Sequence, residues 1–298
     1  MKVLVTGCRG QLVQSLIERS QSYKVELIAI GRPDLDLENP GSIRKTLSRL
    51  RPDVVISSAA YTAVDLAEDE PGRAFRVNGR AAGELAEVSR SVGARIIQIS
   101  TDYVFDGTSP VPYDETAVPN PIGVYGLSKL EGESRVRAAN PDHVILRTAW
   151  VYSPFARNFV KTMMTLAQTR QGVNVVADQR GSPTSALEFA DGIFSILSRW
   201  SAGGREGLGE VFHLAGTGSA TWFEFARHVF AECARLGYPS AIAHPVTTAA
   251  WPTRARRPAN SMLDCAKFAA TYGFTMSPWQ ASVAATVCTL GKVKSDVA

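Results

Sequence analysis

The sequence predicts an α/β protein: a Rossmann-like, doubly wound parallel sheet with a smaller C-terminal substrate domain. Three observations carry this. Segments 2–6, 54–58 and 95–100 are short runs dominated by Val and Ile, as strands buried on both faces of a parallel sheet must be. Between them, apolar residues recur at helical spacing: Leu12, Leu16 and Ile17, then Ala74, Val77, Ala81, Leu85 and Val88. The first strand ends in Gly7-Cys8-Arg9-Gly10, a glycine turn opening onto a helix. Strands alternating with helices imply ligands at the carboxyl ends of the strands.

Composition narrows the function. The chain has 298 residues, 45% of them hydrophobic, enough for a large core in two domains or one elaborated domain. Its net charge of +4 is mild, and no long basic run appears, so nucleic acid is not an expected partner. Cys8, Cys233, Cys265 and Cys288 are scattered, as are the four histidines, which disfavours a metal knot or a disulfide scaffold; no metal site is expected. The first apolar run reaches Gly7 too soon for a signal-peptide core, and no apolar run approaches the ~20 residues of a membrane span. A soluble, cytoplasmic protein with no membrane partner is the expectation.

In chain order, Gly7 and Gly10 let backbone N–H groups approach a pyrophosphate at the positive end of the first helix. A third glycine, expected at position 13, is replaced by Val13. The second strand, 25–30, runs into Gly31-Arg32-Pro33-Asp34. An acid there would read the free ribose hydroxyl of NADH, and an arginine the 2′-phosphate of NADPH. Arg32 favours NADPH; Asp34 and Asp36, close behind, keep NADH open. A helix over 42–50 and the third strand lead to Ala59-Ala60-Tyr61-Thr62, small enough to let a cofactor lie against the backbone. The fourth strand ends in Ser100-Thr101-Asp102, which directs the Thr101 hydroxyl toward the crevice and a substrate carbonyl.

A Pro- and Gly-rich loop, 107–121, precedes Tyr125-Gly126-Leu127-Ser128-Lys129. Tyr and Lys four apart share one helix face. A phenol normally titrates near pH ~10, and a neighbouring ammonium favours the phenolate, so the pair suits proton transfer to a reacting oxygen. Glu131 and Glu133 on the same helix read as solvated. A strand at 143–147 follows. The second half is less regular: an amphipathic stretch at 159–166, a strand at 174–177, a helix at 187–197, a loop at 201–209, a strand at 211–215 able to rejoin the main sheet, and a long helix at 222–236 on which His228 reads as a surface residue. Residues 1–150 and 186–215 are expected to form the dinucleotide-binding domain, and 151–185 and 216–298 the substrate domain. The polar tail, 292–298, is expected to fray.

The glycine turn, Ser100-Thr101-Asp102-Tyr103-Val104-Phe105-Asp106-Gly107 and Tyr-x-x-x-Lys together resemble the extended short-chain dehydrogenase/reductase family. A narrower resemblance, to the branch that reduces a nucleotide-linked 4-keto sugar, rests on Gly10-Gln11-Leu12, the segments 60–65, 147–152 and 181–184, Asn158-Phe159, Asp178-Gln179, and Arg256-Arg257-Pro258-Ala259-Asn260-Ser261. It implies reduction of dTDP-4-dehydro-L-rhamnose to dTDP-L-rhamnose by NADPH or NADH. Tyr125 would donate the proton, Lys129 would hold the nicotinamide ribose and lower the Tyr125 pKa, and Thr101 would bind the sugar carbonyl. Gly7, Gly10, Gln11 and Leu12 would carry the cofactor phosphates, and Ala60 and Thr62 would line its path. Asp102 and Trp150 would touch substrate. In the dense basic cluster 254–258, Arg256 and Arg257 are candidates to clamp the substrate diphosphate.

Two other functions are weighed. A nucleotide-sugar epimerase or dehydratase of the same family would retain its NAD, but Tyr103 stands where a dehydratase has Glu. A non-catalytic NADP-binding regulatory subunit would be expected to lose the Tyr–Lys pair or Thr101, and all three are present. A homodimer is open to the chain. Some relatives join subunits through a metal held by acids, but Ser15 and Leu187 stand near those positions, with Glu188 adjacent, so a metal-bridged dimer is not expected.

Overall fold

A computed structural model of the chain describes residues 1–295. Five strands follow in order: β1 (Lys2–Thr6), β2 (Glu26–Ile30), β3 (Val54–Ser57), β4 (Arg95–Thr101) and β5 (His143–Thr148). With Glu210–His213 they form one six-stranded sheet, ordered Glu210–His213, β5, β4, β3, β1, β2, every pair parallel. The expected doubly wound sheet is therefore present, and 211–213 rejoins it through Arg147 opposite His213. Alternation along β1 shows why these runs are apolar throughout. Val3 and Val5 pack on one face with Val13, Leu16, Phe189 and Ile193; Leu4 packs on the other with Ile43, Leu47, Leu85 and Val136. The chain steps from β1 out to β2, then back across β1 to β3. That reversal opens a crevice at the carboxyl ends of β1 and β3.

Val13 does not hold the first helix, Gln11–Ser20, away from the sheet. It is 2% exposed and fills the space beside Gly7, so the missing third glycine is replaced by core packing. The helical repeat at 74–88 is interrupted by a π-helical stretch, Phe75–Arg80, which the apolar spacing did not announce. A third apolar cluster lies in the second half. There the helices Phe159–Leu166, Trp222–Arg235 and Trp279–Ser295 enclose Met163, Phe225, Val229 and Val283 beside the paired strands Gly172–Val176 and Ile242–Val246. Of the tail expected to fray, residues 296–298 lie outside the described residues.

The helix Val124–Ala139 docks through glycines. A Cβ on Gly126 would stand 2.1 Å from the Tyr103 carbonyl oxygen, and one on Gly132 would stand 2.2 Å from the Asn78 carbonyl. No side chain fits either place. Gly126→Ala should therefore push this helix off the turn that ends β4 and cost about 1–3 kcal/mol, as overpacking does. A clear fall in the thermal midpoint checks this, and an unchanged midpoint contradicts it.

Candidate active site

A crevice of about 1020 Å³ runs over the carboxyl ends of the strands. Gly7, Gly10, Gln11, Leu12, Arg32, Ala60, Thr62, Thr101, Asp102, Tyr125, Lys129 and Trp150 all line it, so residues spread over 144 positions of sequence meet in one place. Gly7 has φ +98, a conformation that strains any side chain. A Cβ on Gly10 would meet nothing within 4 Å. No side chain caps the first helix, whose N-terminal N–H groups stay free for an anion. These features fit a dinucleotide pyrophosphate. Gln11 ties this turn to the second half of the chain: its amide donates to the Val151 carbonyl (3.1 Å) and its oxygen accepts from the Ser153 hydroxyl (2.9 Å).

Beyond the glycine turn, Arg9 and Arg32 are exposed and have no acidic partner among the described residues, which leaves both available to a phosphate. Farther out, Arg73 holds Glu38 through Nε (3.3 Å) and Nη2 (3.2 Å).

At the reacting end, the Thr101 hydroxyl donates to Asp102 (2.9 Å) and lies in hydrogen-bonding reach of Tyr125. Burial, reinforced by the Asp102 charge, pushes the Tyr125 phenol up to about 12. Lys129 does not lower it. The Lys129 ammonium donates to the Ile99 carbonyl (2.6 Å) and is itself pushed down to about 8 by burial. The expected pKa-lowering role of Lys129 is thus corrected: both groups sit where little water solvates charge, and burial is the largest influence on each. Asp102 is 3% exposed, and burial raises it to about 6 against the hydroxyls of Ser261 and Thr101; among the described residues no donor meets the hydrogen-bond geometry at its Oδ2.

Glu133 is a second correction. It is not solvated but fully buried, one helical turn beyond Lys129, where it receives both Nε (2.9 Å) and Nη2 (2.7 Å) of Arg147 and the Ser100 hydroxyl (2.6 Å). Glu131 pairs with Arg135 along the seam with Gly79 and Gly83. Trp150 takes φ +46 and stacks on Trp222 at 3.5 Å, over Gly181, where a Cβ would meet the indole at 2.4 Å. It forms a fixed wall of the crevice.

The basic cluster is largely committed. Arg254 pairs with Asp69, Arg257 Nη2 with Asp65 (2.8 Å), and the Ala255 N–H donates to Asp65 as well. Neither Arg256 nor Arg257 lines the crevice; Arg256 is exposed and free of acids among the described residues. Glu188 is also occupied, accepting from the Ser277 N–H (2.7 Å) and the Ser282 hydroxyl, while Ser15 is buried and bonds Gln11. Among the described residues no three His, Cys, Asp or Glu side chains gather as a metal site, and no helix is long and apolar enough to cross a membrane. His228 lies 3.0 Å from the Gln280 carbonyl.

Two residues of the site are not evident from sequence reasoning. Asn78, in the π-helical stretch, accepts from the Tyr61 N–H (2.8 Å) and donates to the Tyr61 carbonyl (3.0 Å) and the Ser128 hydroxyl (3.0 Å), so it locks the 60–62 loop to the Tyr125 helix. A buried-periodicity Asn followed by Gly79 is the one sequence signal for it. Arg157 lines the crevice from an irregular loop and has no such signal.

Comparison with known proteins places this geometry. The family model for the RmlD substrate binding domain matches residues 1–291. A dTDP-4-dehydrorhamnose reductase of Sinorhizobium fredii is 44% identical over 282 residues, covering 95% of each chain. Among solved structures, a dTDP-4-dehydrorhamnose reductase of Clostridium acetobutylicum superposes with TM-score 0.90 at 36% identity, over 98% of this chain and 100% of the other. The Bacillus anthracis enzyme of the same name, solved in complex with NADP, superposes with TM-score 0.90 at 33% identity, over 97% and 99%.

The buried Asp102 has a consequence for stability. Its folded pKa lies above the unfolded value, so the folded state binds more protons between about pH 4 and 6. Stability falls as pH rises through that window and stays lower above it, by about 3 kcal/mol for a shift of about two units. Asp102→Asn removes the ionisation and should raise the denaturation midpoint at pH 8 while leaving it unchanged below pH 4. Equal shifts at both pH values would contradict this.

Proposed function

The chain belongs to the dTDP-4-dehydrorhamnose reductase family, and from that premise we propose that it reduces the 4-keto group of dTDP-4-dehydro-L-rhamnose to give dTDP-L-rhamnose, with NADPH as preferred reductant. The observation that carries the proposal is the meeting of Thr101, Tyr125 and Lys129 in one crevice with an uncapped, glycine-led helix N-terminus. When bound, the reduced nicotinamide supplies the hydride that goes to C4 of the sugar.

The chain's residues do the rest. Gly7, Gly10, Gln11 and Leu12 receive the pyrophosphate, and Arg32 with Arg9 faces the 2′-phosphate. Ala60 and Thr62, held by Asn78, border the path between. Thr101 orients the ketone oxygen. Tyr125, kept protonated by its dry surroundings, gives its proton to that oxygen as negative charge develops there. Lys129 holds the ribose. Trp150 and Asp102 wall the sugar. Arg256 takes the substrate diphosphate; Arg257, paired with Asp65, braces the loop that presents it.

Loss of reduced-nicotinamide absorbance on mixing the protein with dTDP-4-dehydro-L-rhamnose and NADPH tests this. Tyr125→Phe should lower kcat by at least about a hundredfold while NADPH still binds. Arg32→Ala should lower the NADPH-to-NADH preference and leave the NADH rate nearly unchanged. Normal turnover in Tyr125→Phe would rule out the assigned proton donor.

A further inference from the structure

One buried charge cluster has no part in the scheme above. The sheet-facing stripe of the Val124–Ala139 helix carries Tyr125, Lys129 and Glu133 at successive turns. Each has an anchor on a strand: Tyr125 reaches Thr101, Lys129 donates to the Ile99 carbonyl, and Glu133 takes the Ser100 hydroxyl and the Arg147 guanidinium. Three of these anchors, Ile99, Ser100 and Thr101, are consecutive on β4; Arg147 comes from β5, opposite Ser100. Side-chain exposure is 1% for Glu133 and 2% for Arg147, so the pair is out of water altogether.

We infer that Glu133, clamped by Arg147 and Ser100, is a positioning residue for the reacting pair: it sets the helix register that brings Tyr125 to Thr101, and it holds Lys129 as an ammonium. The inference rests on the reductase reading for its link to turnover. A buried ion pair is weak as a source of stability, since the cost of removing two charges from water offsets most of their attraction. Its retention in a helix that presents the reacting groups calls for another use. Few charged or titratable groups face the Lys129 ammonium. Glu133, on its own helix, is the charge that acts on it; Asp102 and Tyr103 lie around Tyr125, Arg257 reaches Tyr103, and Arg137 and Arg147 both contact Glu133 Oε2 (3.6 and 2.7 Å). Burial disfavours the ammonium, and Glu133 is the charge that opposes this. Asn78, from the neighbouring helix, is uncharged.

The test reads Lys129 directly. Glu133→Gln removes the charge and keeps the size. The Lys129 side-chain NMR titration should move down by about one pH unit, the scale of a single close opposite charge. The alkaline limb of kcat/KM should move with it. Because Glu133→Gln leaves Arg147 buried and unpaired, a second variant, Glu133→Leu with Arg147→Met, replaces the pair by apolar groups of similar volume. It should melt near the wild type and still show the lower Lys129 midpoint. A wild-type Lys129 midpoint in either folded variant overturns the inference. Failure of the reductase reading shows separately, as wild-type protein that binds NADPH but turns over no 4-keto sugar.

Discussion

The structure depends on the close seating of one helix against the end of one strand. Val124–Ala139 can seat against the turn after β4 and against the π-helical stretch only because positions 126 and 132 carry no side chain; the Tyr103 and Asn78 carbonyls occupy the space a Cβ would need. That approach brings Tyr125 within reach of Thr101 and Lys129 to the Ile99 carbonyl. It also fixes the π-helical stretch on the helix's other flank, where Asn78 bonds Ser128 and the Tyr61 backbone. The N-terminus of the same helix is held from a distance, by the Glu68 carboxylate accepting the Val124 N–H at 2.8 Å. A single packing constraint thus positions the reacting groups, one wall of the cofactor crevice, and the buried Glu133–Arg147 pair.

Desolvation is the common cause of the electrostatics. The same dryness raises Tyr125 and Asp102 and lowers Lys129, so each group is biased toward its neutral form. For Tyr125 in its proposed role as proton donor this bias is useful, since the phenol stays protonated at neutral pH. For Lys129 it is a liability, and the carboxylate one turn away offsets it. The surrounding charges are arranged around this centre. Asp65 and Asp69 tether the 254–257 loop, and Gln11 joins the glycine turn to the Val151–Ser153 backbone.

Much of this was legible in the sequence. Apolar runs too continuous for one-sided strands identify the parallel sheet, the Gly-x-x-Gly turn marks the proposed phosphate end, and the Tyr–Lys spacing marks the proposed reacting face. These signals are local, so a linear reading reaches them. What escaped is what distant residues do to one another. Glu133 looks like a surface acid until β5 supplies Arg147, fourteen residues on. Arg254 and Arg257 look like a free clamp until Asp65 and Asp69, some 190 residues earlier, neutralise them. Asn78 sits in an ordinary helical repeat, and nothing in that repeat announces a π turn. Proximity on one helix face predicts a lowered Tyr125 pKa, whereas burial raises it.

The decisive measurement follows the hydrogen. The protein is mixed with dTDP-4-dehydro-L-rhamnose and NADPH carrying deuterium at the transferable C4 position, and the sugar product is read by NMR and mass. The expected product is dTDP-L-rhamnose with deuterium at C4 of the sugar, with one nicotinamide oxidised per sugar reduced. A sugar rearranged without deuterium, and without net oxidation of the nicotinamide, would contradict it and point to an epimerase that keeps its cofactor.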